Sequence, residues 1–496
     1  MAASGTSGTG ITWVLDDDNV LTISGSGAVS SSNWSNYKDL VYSVIVEEGI
    51  TSLPDECFHD TPSIVSVQLS STLTSIGAYA FYGCTGIQKL YVPSLESWFA
   101  VAFGNVFSNP MYYRNYPKPA GCDLYVNGVL ATQVDLPAGA TQIPMGRFAG
   151  CKSIVTVNVP EGVTTIKSDV FHACDTLIAV NLPSTLTTIE SYNFYRCANI
   201  RTVTIPDKVT SLGSSSMSDC PELREVTLGR NIKTLSVGWF SELPSLAKLS
   251  VGINFKPTNF GAYLNQCRAL TEVVIPDANP NYSVVDGVVY SKDLTTAWYV
   301  PLTKLDAGLL SSVTVLGHSL YRGRTELTTY TFLDSIVTIS QHCFEDCTNL
   351  KRLRLPLHLA TIKVAAFKNC ASITTVNLPK SVSRIEGASF NGCTTLVEFI
   401  VNVPVPPTFA SSYILEGGTF ANCPALVAIK VPVGSGETYK AMTGWSTYAD
   451  LIVESKDAGS DVGPADPEHI VLDPTVKFMG WLLGRQVAEA FLDEIT

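Results

Sequence analysis

The sequence predicts an α/β-type repeat solenoid built mostly from short β-strands. Two consecutive segments, FHACDTLIAVNLPSTLTTIESYN (171–193) and FYRCANIRTVTIPDKVTSLGSSS (194–216), share one apolar pattern with nothing between them. The same 23-residue spacing recurs along most of the chain, and in most copies apolar and polar residues alternate before a proline. A fixed period of this size is typical of proteins in which each repeat forms one coil stacked on the previous coil.

A Phe-x-x-Cys pair in most repeats forms what we call the structural ladder. Its clearest pairs, 23 residues apart within a run, include Phe171 and Cys174, Phe194 and Cys197, and Phe367 and Cys370. We expect both side chains in the core, where each buried phenylalanine contributes about 1.5–3 kcal/mol and the thiol acts as a small apolar group. Stacking also brings thiols near one another, so an occasional disulfide is an alternative to free thiols.

The alternating segment of each repeat is predicted to be a half-buried strand. In CKSIVTVNVP (151–160), Ile154, Val157 and Val159 alternate with polar residues before Pro160. A proline is tolerated where a strand ends. A single coil cannot bury these side chains, but strands stacked about 4.8 Å apart bury them against their neighbours.

The segment STLTSIGAYAFYGCTGI (71–87) resembles the repeat of the BspA-type leucine-rich repeat family, in its Ser-Ile-Gly turn and its Ala-Phe-x-x-Cys pair. The resemblance covers residues 41–453. It implies a right-handed horseshoe or arc of about 12 coils. It also implies adhesion to proteins or glycans, since relatives with these repeats are often secreted or attached to the cell surface.

Interruptions of the period divide the chain into further parts. The predicted parts are an N-terminal β-module or cap (1–40), the solenoid (41–453) with an insert (93–125), a β-hairpin insert (277–301) and a C-terminal cap (424–453), a polar linker (454–469) and a C-terminal helix (470–496). The helix is predicted because Pro474 stands near its first turn and few breakers follow.

The apolar side chains of the C-terminal helix are too extensive for an isolated helix in water. They are Phe478, Trp481, Leu482, Val487 and Phe491. We therefore expect this segment to mediate self-association or attachment to a larger assembly.

Composition argues against several functional classes. The chain has 496 residues, 15% of them charged, and a net charge of −12. Nucleic acid is not an expected partner, because phosphate contacts need clustered lysine and arginine. No apolar run is long enough to predict a membrane span. The start MAASGTSGTGITW has no basic or apolar region typical of a signal peptide, so an extracellular, cell-surface or virion-associated location is a hypothesis.

The sequence predicts no enzyme, no cofactor and no metal site. No motif of a nucleophile, phosphate-binding loop or dinucleotide-binding turn occurs. The cysteines Cys343 and Cys347 lack the second ligand pair of a zinc site. The segment Asp16–Asn19 lies between two strand-like runs, which favours a hairpin turn over a calcium loop.

The polar positions between the strand apolars form the candidate binding face, and two places on it carry cations. One is Lys351, Arg352 and Arg354; the other is Arg201, Arg224 and Lys248. An anionic glycan or an acidic protein surface would suit such a strip, and a solvated face balanced by nearby carboxylates is the alternative. Tyr112 and Tyr113 are further candidates, since tyrosine is enriched at interfaces.

Two hypotheses follow for the function of the chain. In the first, it recognises a protein or glycan on a cell surface, and a phage tail receptor-binding component is one form of this hypothesis. In the second, it is a structural scaffold that spaces the parts of a larger assembly and has no ligand of its own.

Overall fold

Each repeat forms one turn of a parallel β-solenoid, and its alternating segment is the main strand of that turn. Val157 is fully buried, whereas Thr156 and Asn158 on either side of it are partly exposed. On the return path, Ile166 points into the core from a strand of two residues. The computed structural model describes residues 3–112, 121–234, 238–257, 259–305, 308–410 and 418–459.

Three strands of the N-terminal segment form an antiparallel sheet that continues into the solenoid: β1 (Ala3–Thr6), β2 (Ile11–Leu15) and β3 (Val20–Gly25). The short strand β4 (Gly27–Ala28) instead pairs in parallel with the return-path strand Ile50–Leu53. The predicted hairpin turn is confirmed, because β2 and β3 pair antiparallel and Asp16 Oδ1 accepts the Val20 amide at 2.8 Å. Strand β3 then pairs in parallel with the first main strand of the solenoid (Ser43–Val46), with Leu21 opposite Val44.

The first run of turns extends through the segment that was predicted as an insert (93–125). Its elements are β5 (Ser43–Val46), β6 (Ile50–Leu53), β7 (Ser66–Gln68), β8 (Ser75–Ile76), β9 (Lys89–Val92), α1 (Leu95–Ala100), β10 (Ala102–Phe103), β11 (Asp123–Val126) and β12 (Val129–Leu130). Helix α1 begins at Ser94, whose hydroxyl accepts the Ser97 amide at 3.1 Å.

Helix α1 is fixed to the solenoid by a buried arginine. The Arg147 guanidinium donates to the carbonyls of Trp98 at 2.7 Å and Val101 at 2.8 Å, and it lies 4.4 Å from the ring centre of Phe103. Burial lowers the pKa of Arg147 to about 9. Arg147 therefore has a structural role in holding helix α1 and is not available on the surface.

The second run contains the two repeats that define the period. Its elements are β13 (Gln133–Asp135), β14 (Gln142–Ile143), β15 (Thr156–Asn158), β16 (Thr165–Ile166), β17 (Ala179–Asn181), β18 (Thr188–Ile189), β19 (Thr202–Thr204), β20 (Ser211–Leu212), β21 (Glu225–Thr227), β22 (Lys248–Ser250), α2 (Phe260–Leu264) and β23 (Glu272–Val274). Within each sheet of this run, neighbouring main strands pair in parallel, as Val157 opposite Val180 shows, whereas β17 and β19 belong to separate sheets.

The hairpin insert has three antiparallel strands. They are β24 (Tyr282–Val285), β25 (Val288–Ser291) and β26 (Thr296–Tyr299). Strand β26 resumes the parallel stack through the return-path strand that follows it, with Ala297 opposite Leu316.

The third run ends in a cap. Its elements are β27 (Val315–Leu316), β28 (Thr329–Thr331), β29 (Thr338–Ile339), β30 (Arg352–Arg354), β31 (Thr361–Ile362), β32 (Thr375–Leu378), β33 (Arg384–Glu386), β34 (Glu398–Val401), β35 (Thr408–Ala410), β36 (Ala428–Val431), α3 (Gly436–Ala441) and β37 (Ile452–Glu454). The indole of Trp445 stacks on Phe409 with ring centres 4.3 Å apart and donates to the Pro407 carbonyl at 2.8 Å. This buried tryptophan covers the end of the core.

The fold class expected from the sequence is confirmed, but the expected number of about 12 coils is wrong. The structure has about 18 turns. Several turns lack the Phe-x-x-Cys pair and still keep the main strand. One example is the turn in which Trp34 takes the ladder place and stacks on Phe58, with ring centres 5.5 Å apart.

Residues with positive φ lie two positions before and two positions after ladder phenylalanines. At Phe194 these are Tyr192 and Arg196, both with φ of 61°. A left-handed conformation costs a non-glycine residue roughly 1–2 kcal/mol. The adjacent turn stabilises it, because the amides of all three residues donate to carbonyls 22 residues later at 3.0, 2.8 and 3.1 Å.

Candidate binding face

The exposed strand face consists of the outward-pointing residues of the main strands. In each three-residue strand the middle side chain faces the core and its two neighbours face outward, as in β30, where Leu353 is 7% exposed between two exposed arginines. The alternation that forms the core thus also decides which side chains are presented to a partner.

The cationic strand, defined as Lys351, Arg352 and Arg354, consists of the two outward-pointing arginines of β30 and the exposed lysine that directly precedes them. Its neighbours in the sheet are uncharged: Arg352 lies opposite Thr329, and Arg354 lies opposite Thr331 and Asn377. Among the described residues, no carboxylate lies within 4.0 Å of Lys351 Nζ or of the Arg354 guanidinium. The positive charge is therefore concentrated on one strand.

The second predicted cluster, Arg201, Arg224 and Lys248, has a different environment. Arg224 pairs with Glu222 at 3.4 Å. The Lys248 ammonium lies 3.2 Å from Glu272 on the next strand and 4.0 Å from Glu225 on the previous one. These carboxylates offset much of the positive charge of Arg224 and Lys248. The two clusters were equal candidates in the sequence, but in the described structure only the second has carboxylates on adjacent strands.

Tyr112 is half-buried and packs within an aromatic cluster. Its ring meets those of Phe107 and His172 edge-on, with centres 5.3 and 5.2 Å apart. These contacts give Tyr112 a packing role. Tyr113 and the predicted C-terminal helix, with Phe478, Trp481, Leu482, Val487 and Phe491, lie outside the described residues.

Two exposed tyrosines were not among the binding residues predicted from the sequence. Tyr79 and Tyr192 are 42% and 41% exposed, and each packs edge-on against the tyrosine three residues later. Both stand two residues before a ladder phenylalanine. Aligning the repeats would have revealed this position, because the 23-residue period relates any two turns of one run.

The six ladder residues lie in the core, each no more than 1% exposed: Phe171, Cys174, Phe194, Cys197, Phe367 and Cys370. The rings of Phe171 and Phe194 stack with centres 5.6 Å apart and planes 9° apart. The Cys197 thiol donates to the Phe171 carbonyl at 3.0 Å. Burial raises the pKa of this thiol well above its usual value, so it stays protonated and unreactive at neutral pH.

The ionisable side chains inside the turns form structural pairs. Glu345 is a 5%-exposed carboxylate that lies 2.8 Å from Arg322 and 2.9 Å from His342. Burial alone would raise the pKa of Glu345, but the hydrogen bond from His342 and the charge of Arg322 bring it below its usual value. Within the described ranges, no group of three or more His, Cys, Asp and Glu side chains is arranged to hold a metal ion.

Comparison with known proteins gives the following matches. A family model described as a BspA type leucine rich repeat region matches residues 29–110, 141–271 and 314–440, with 6 copies. A solved leucine-rich repeat protein from Eubacterium ventriosum is 24% identical, with 84% of this chain and 99% of that chain covered and a TM-score of 0.44. A leucine rich cell surface protein from Faecalibacterium prausnitzii is 18% identical, with 92% and 94% covered and a TM-score of 0.28. No curated protein matches the chain.

Among the helices of the described residues, none has the length and apolar character that a membrane crossing requires.

Proposed function

Because the chain belongs to the BspA-type leucine-rich repeat family, we propose that it is a non-enzymatic recognition protein that binds a protein or glycan on a cell surface. This agrees with the protein-binding or adhesion role that the family suggests. The proposed contact surface is the exposed strand face, and the cationic strand is its centre.

The observation that carries this proposal is the positive charge of Lys351 and Arg354, which have no carboxylate within 4.0 Å among the described residues. Arg354 stands between strands that present Thr331 and Asn377, so a partner's carboxylate or sulfate would meet positive charge that these two strands do not offset. An arginine fork also binds planar anions with two parallel hydrogen bonds. The flanking hydroxyl and amide groups can add neutral hydrogen bonds to the same partner.

Replacing the cationic strand with neutral residues should weaken binding to an anionic surface. We expect the triple variant Lys351→Gln, Arg352→Gln, Arg354→Gln to lose about tenfold or more in affinity and to bind with a weaker salt dependence. Binding is measured on immobilised heparin and on an array of sulfated and sialylated glycans, at two or more salt concentrations. Thermal unfolding should change little, because the three side chains are exposed.

The matched control is the triple variant Arg201→Gln, Arg224→Gln, Lys248→Gln. It removes the same charge from the same face, but at positions where carboxylates already offset much of the charge. We expect its binding to fall much less. Equal losses in both variants would show that only net charge matters and would contradict a site on β30. Absence of binding to glycans and to intact cells alike would favour the scaffold hypothesis.

We also propose that residues 470–496 attach the solenoid to copies of itself or to a carrier, which would be a virion if the chain is a phage tail component. In the full chain, Trp481→Glu with Leu482→Glu should reduce the particle mass seen in light scattering, because two charges replace apolar contacts. Gln486→Glu, which adds a charge outside the apolar set, is the control. A full-length chain that is monomeric before any substitution would contradict the self-association form.

A further inference from the structure

Two turns of the solenoid carry the same pair of tyrosines on either side of a ladder phenylalanine. The first tyrosine pair is Tyr79 and Tyr82, and the second is Tyr192 and Tyr195. In both pairs the ring planes are 75° apart, with centres 5.9 and 5.7 Å apart. Tyr79 and Tyr192 are 42% and 41% exposed. Because tyrosine combines an apolar ring with a polar hydroxyl and is enriched at interfaces, both pairs are candidate contact surfaces.

The second tyrosine pair already holds an arginine of the chain itself. The Arg196 guanidinium lies 5.0 Å from the ring centre of Tyr195. Its Nε donates to the Asp219 carboxylate on the next turn at 2.8 Å. The electron-rich ring attracts the cation, and the carboxylate adds a charge-assisted hydrogen bond. The second pair therefore shows that a tyrosine ring and a carboxylate of a neighbouring turn together suit a guanidinium.

The first tyrosine pair has the rings and the carboxylates but lacks the arginine. Gly83 stands at the position equivalent to Arg196, two residues after the ladder phenylalanine, and both residues have positive φ. The preceding turn supplies Glu56 and Asp60, which are both exposed. Asp60 lies 3.1 Å from Nδ1 of His59, and among the described residues neither carboxylate pairs with a lysine or an arginine. The negative charge beside the first pair is thus not offset by a cation of the described chain.

The Tyr79 ring has one face on the side of these carboxylates. Its other face stacks on Phe107 of the following turn, with centres 5.4 Å and planes 12° apart. On the preceding turn Glu56 takes the equivalent position, 23 residues earlier, and its amide donates to the Ala78 carbonyl at 2.9 Å. Among the described residues, no ring stacks on Tyr79 from this side. A planar group on this face would therefore lie within reach of the Glu56 carboxylate.

A guanidinium fits this surface better than an ammonium or an apolar group does. It is planar, so it stacks flat on a tyrosine ring, and its fork donates two parallel hydrogen bonds to a carboxylate. A lysine ammonium is a compact and strongly hydrated charge that does not stack in this way. An apolar group would remove water from the carboxylates without replacing its hydrogen bonds. The net charge of −12 also attracts a basic partner at longer range.

We propose that the surface formed by Glu56, Asp60, Tyr79 and Tyr82, which we call the arginine site, binds an arginine side chain of a partner protein. The guanidinium stacks on Tyr79 and pairs with Glu56, and Asp60 attracts a second basic group of the same partner. The arginine site lies on the turns that carry the ladder and not on the exposed strand face. It is therefore separate from the cationic strand and does not depend on the ligand of that strand.

The test uses the full-length chain and three end-blocked, fluorescein-labelled peptides of equal length. In each peptide, glycine and serine separate three arginines, three lysines or three citrullines, and citrulline has the shape of arginine without its charge. Fluorescence anisotropy at low salt should show saturable binding of the arginine peptide. The lysine peptide should bind about threefold more weakly, and the citrulline peptide more weakly still. Equal binding of the arginine and lysine peptides, or no binding of the arginine peptide, would overturn the proposal.

Two matched comparisons locate the site. Tyr79→Ala should weaken binding of the arginine peptide about two- to fivefold. Tyr192→Ala removes a similarly exposed ring from the second pair, where Arg196 is already bound, and should not weaken it. Glu56→Gln should weaken binding about fivefold, whereas Glu47→Gln removes an exposed charge from the same turn outside the site and should have little effect. If the two members of either comparison behave alike, the peptide binds elsewhere and the proposal fails.

Ligand-observed NMR tests the stacking itself. In saturation-transfer spectra of the arginine peptide with the full-length chain, the arginine Hδ protons should receive the strongest signal, because they lie closest to the ring. Tyr79→Leu keeps an apolar side chain against Phe107, so it separates loss of the ring from a local change in packing. It should remove this preference and weaken binding as much as Tyr79→Ala does. Unchanged binding by Tyr79→Leu would show that the guanidinium does not stack on Tyr79 and would overturn the proposal.

Discussion

Phe194→Ala is expected to lower the free energy of unfolding by about 3–5 kcal/mol. The ring is 1% exposed and stacks on Phe171, so its removal leaves a cavity inside the column of rings. Urea denaturation followed by circular dichroism measures the loss. Because each turn contacts mainly its neighbours, faster hydrogen exchange should be concentrated in the turns next to residue 194.

Two controls separate the cavity from other effects. Phe194→Leu keeps most of the apolar volume and should be less destabilising than alanine. Tyr192→Ala removes a 41%-exposed ring from the same turn and should cost clearly less than Phe194→Ala. A Phe194→Ala variant as stable as the parent chain would contradict the assigned register of the ladder.

Alkaline pH should destabilise the chain through its buried thiols. Burial raises the pKa of Cys220 to about 12 from a usual value near 9, and it raises the pKa of Cys174 and Cys197 as well. Above pH 9 the unfolded chain loses these protons while the folded chain keeps them. The free energy of unfolding therefore falls as pH rises from 9 towards 12, by about 1.4 kcal/mol per pH unit for each such thiol.

Urea denaturation at pH 8, 9 and 10 measures how the free energy of unfolding depends on pH. Cys220→Ala should reduce the number of protons released on unfolding at pH 10 by nearly one.

All thirteen cysteines are free in the structure, and twelve are buried. We therefore expect few thiols to react with iodoacetamide in the native protein at pH 8, and about thirteen after denaturation without reductant. Thiols that appear only after reduction would show that disulfides form in place of the Cys–carbonyl hydrogen bonds.

The sequence by itself determined the period, the fold class and the positions that face the core. Alternation in each repeat is local, so it identifies Val157 as buried and Arg352 and Arg354 as outward-pointing without knowledge of any other turn. Because Phe171, Phe194 and Cys197 recur at one spacing, stacking places them in columns. The number of turns was underestimated, since a main strand persists where the Phe-x-x-Cys pair does not.

Only the tertiary structure decided what depends on distances between turns. The sequence could not separate Lys248, which lies between two glutamates, from Arg354, whose strand neighbours are uncharged. It also could not reveal that β17 and β19 belong to separate sheets, because both repeats have the same length and apolar pattern. Alternation fixes which way a side chain points, whereas ion pairs and strand separation are set by how closely neighbouring turns approach each other.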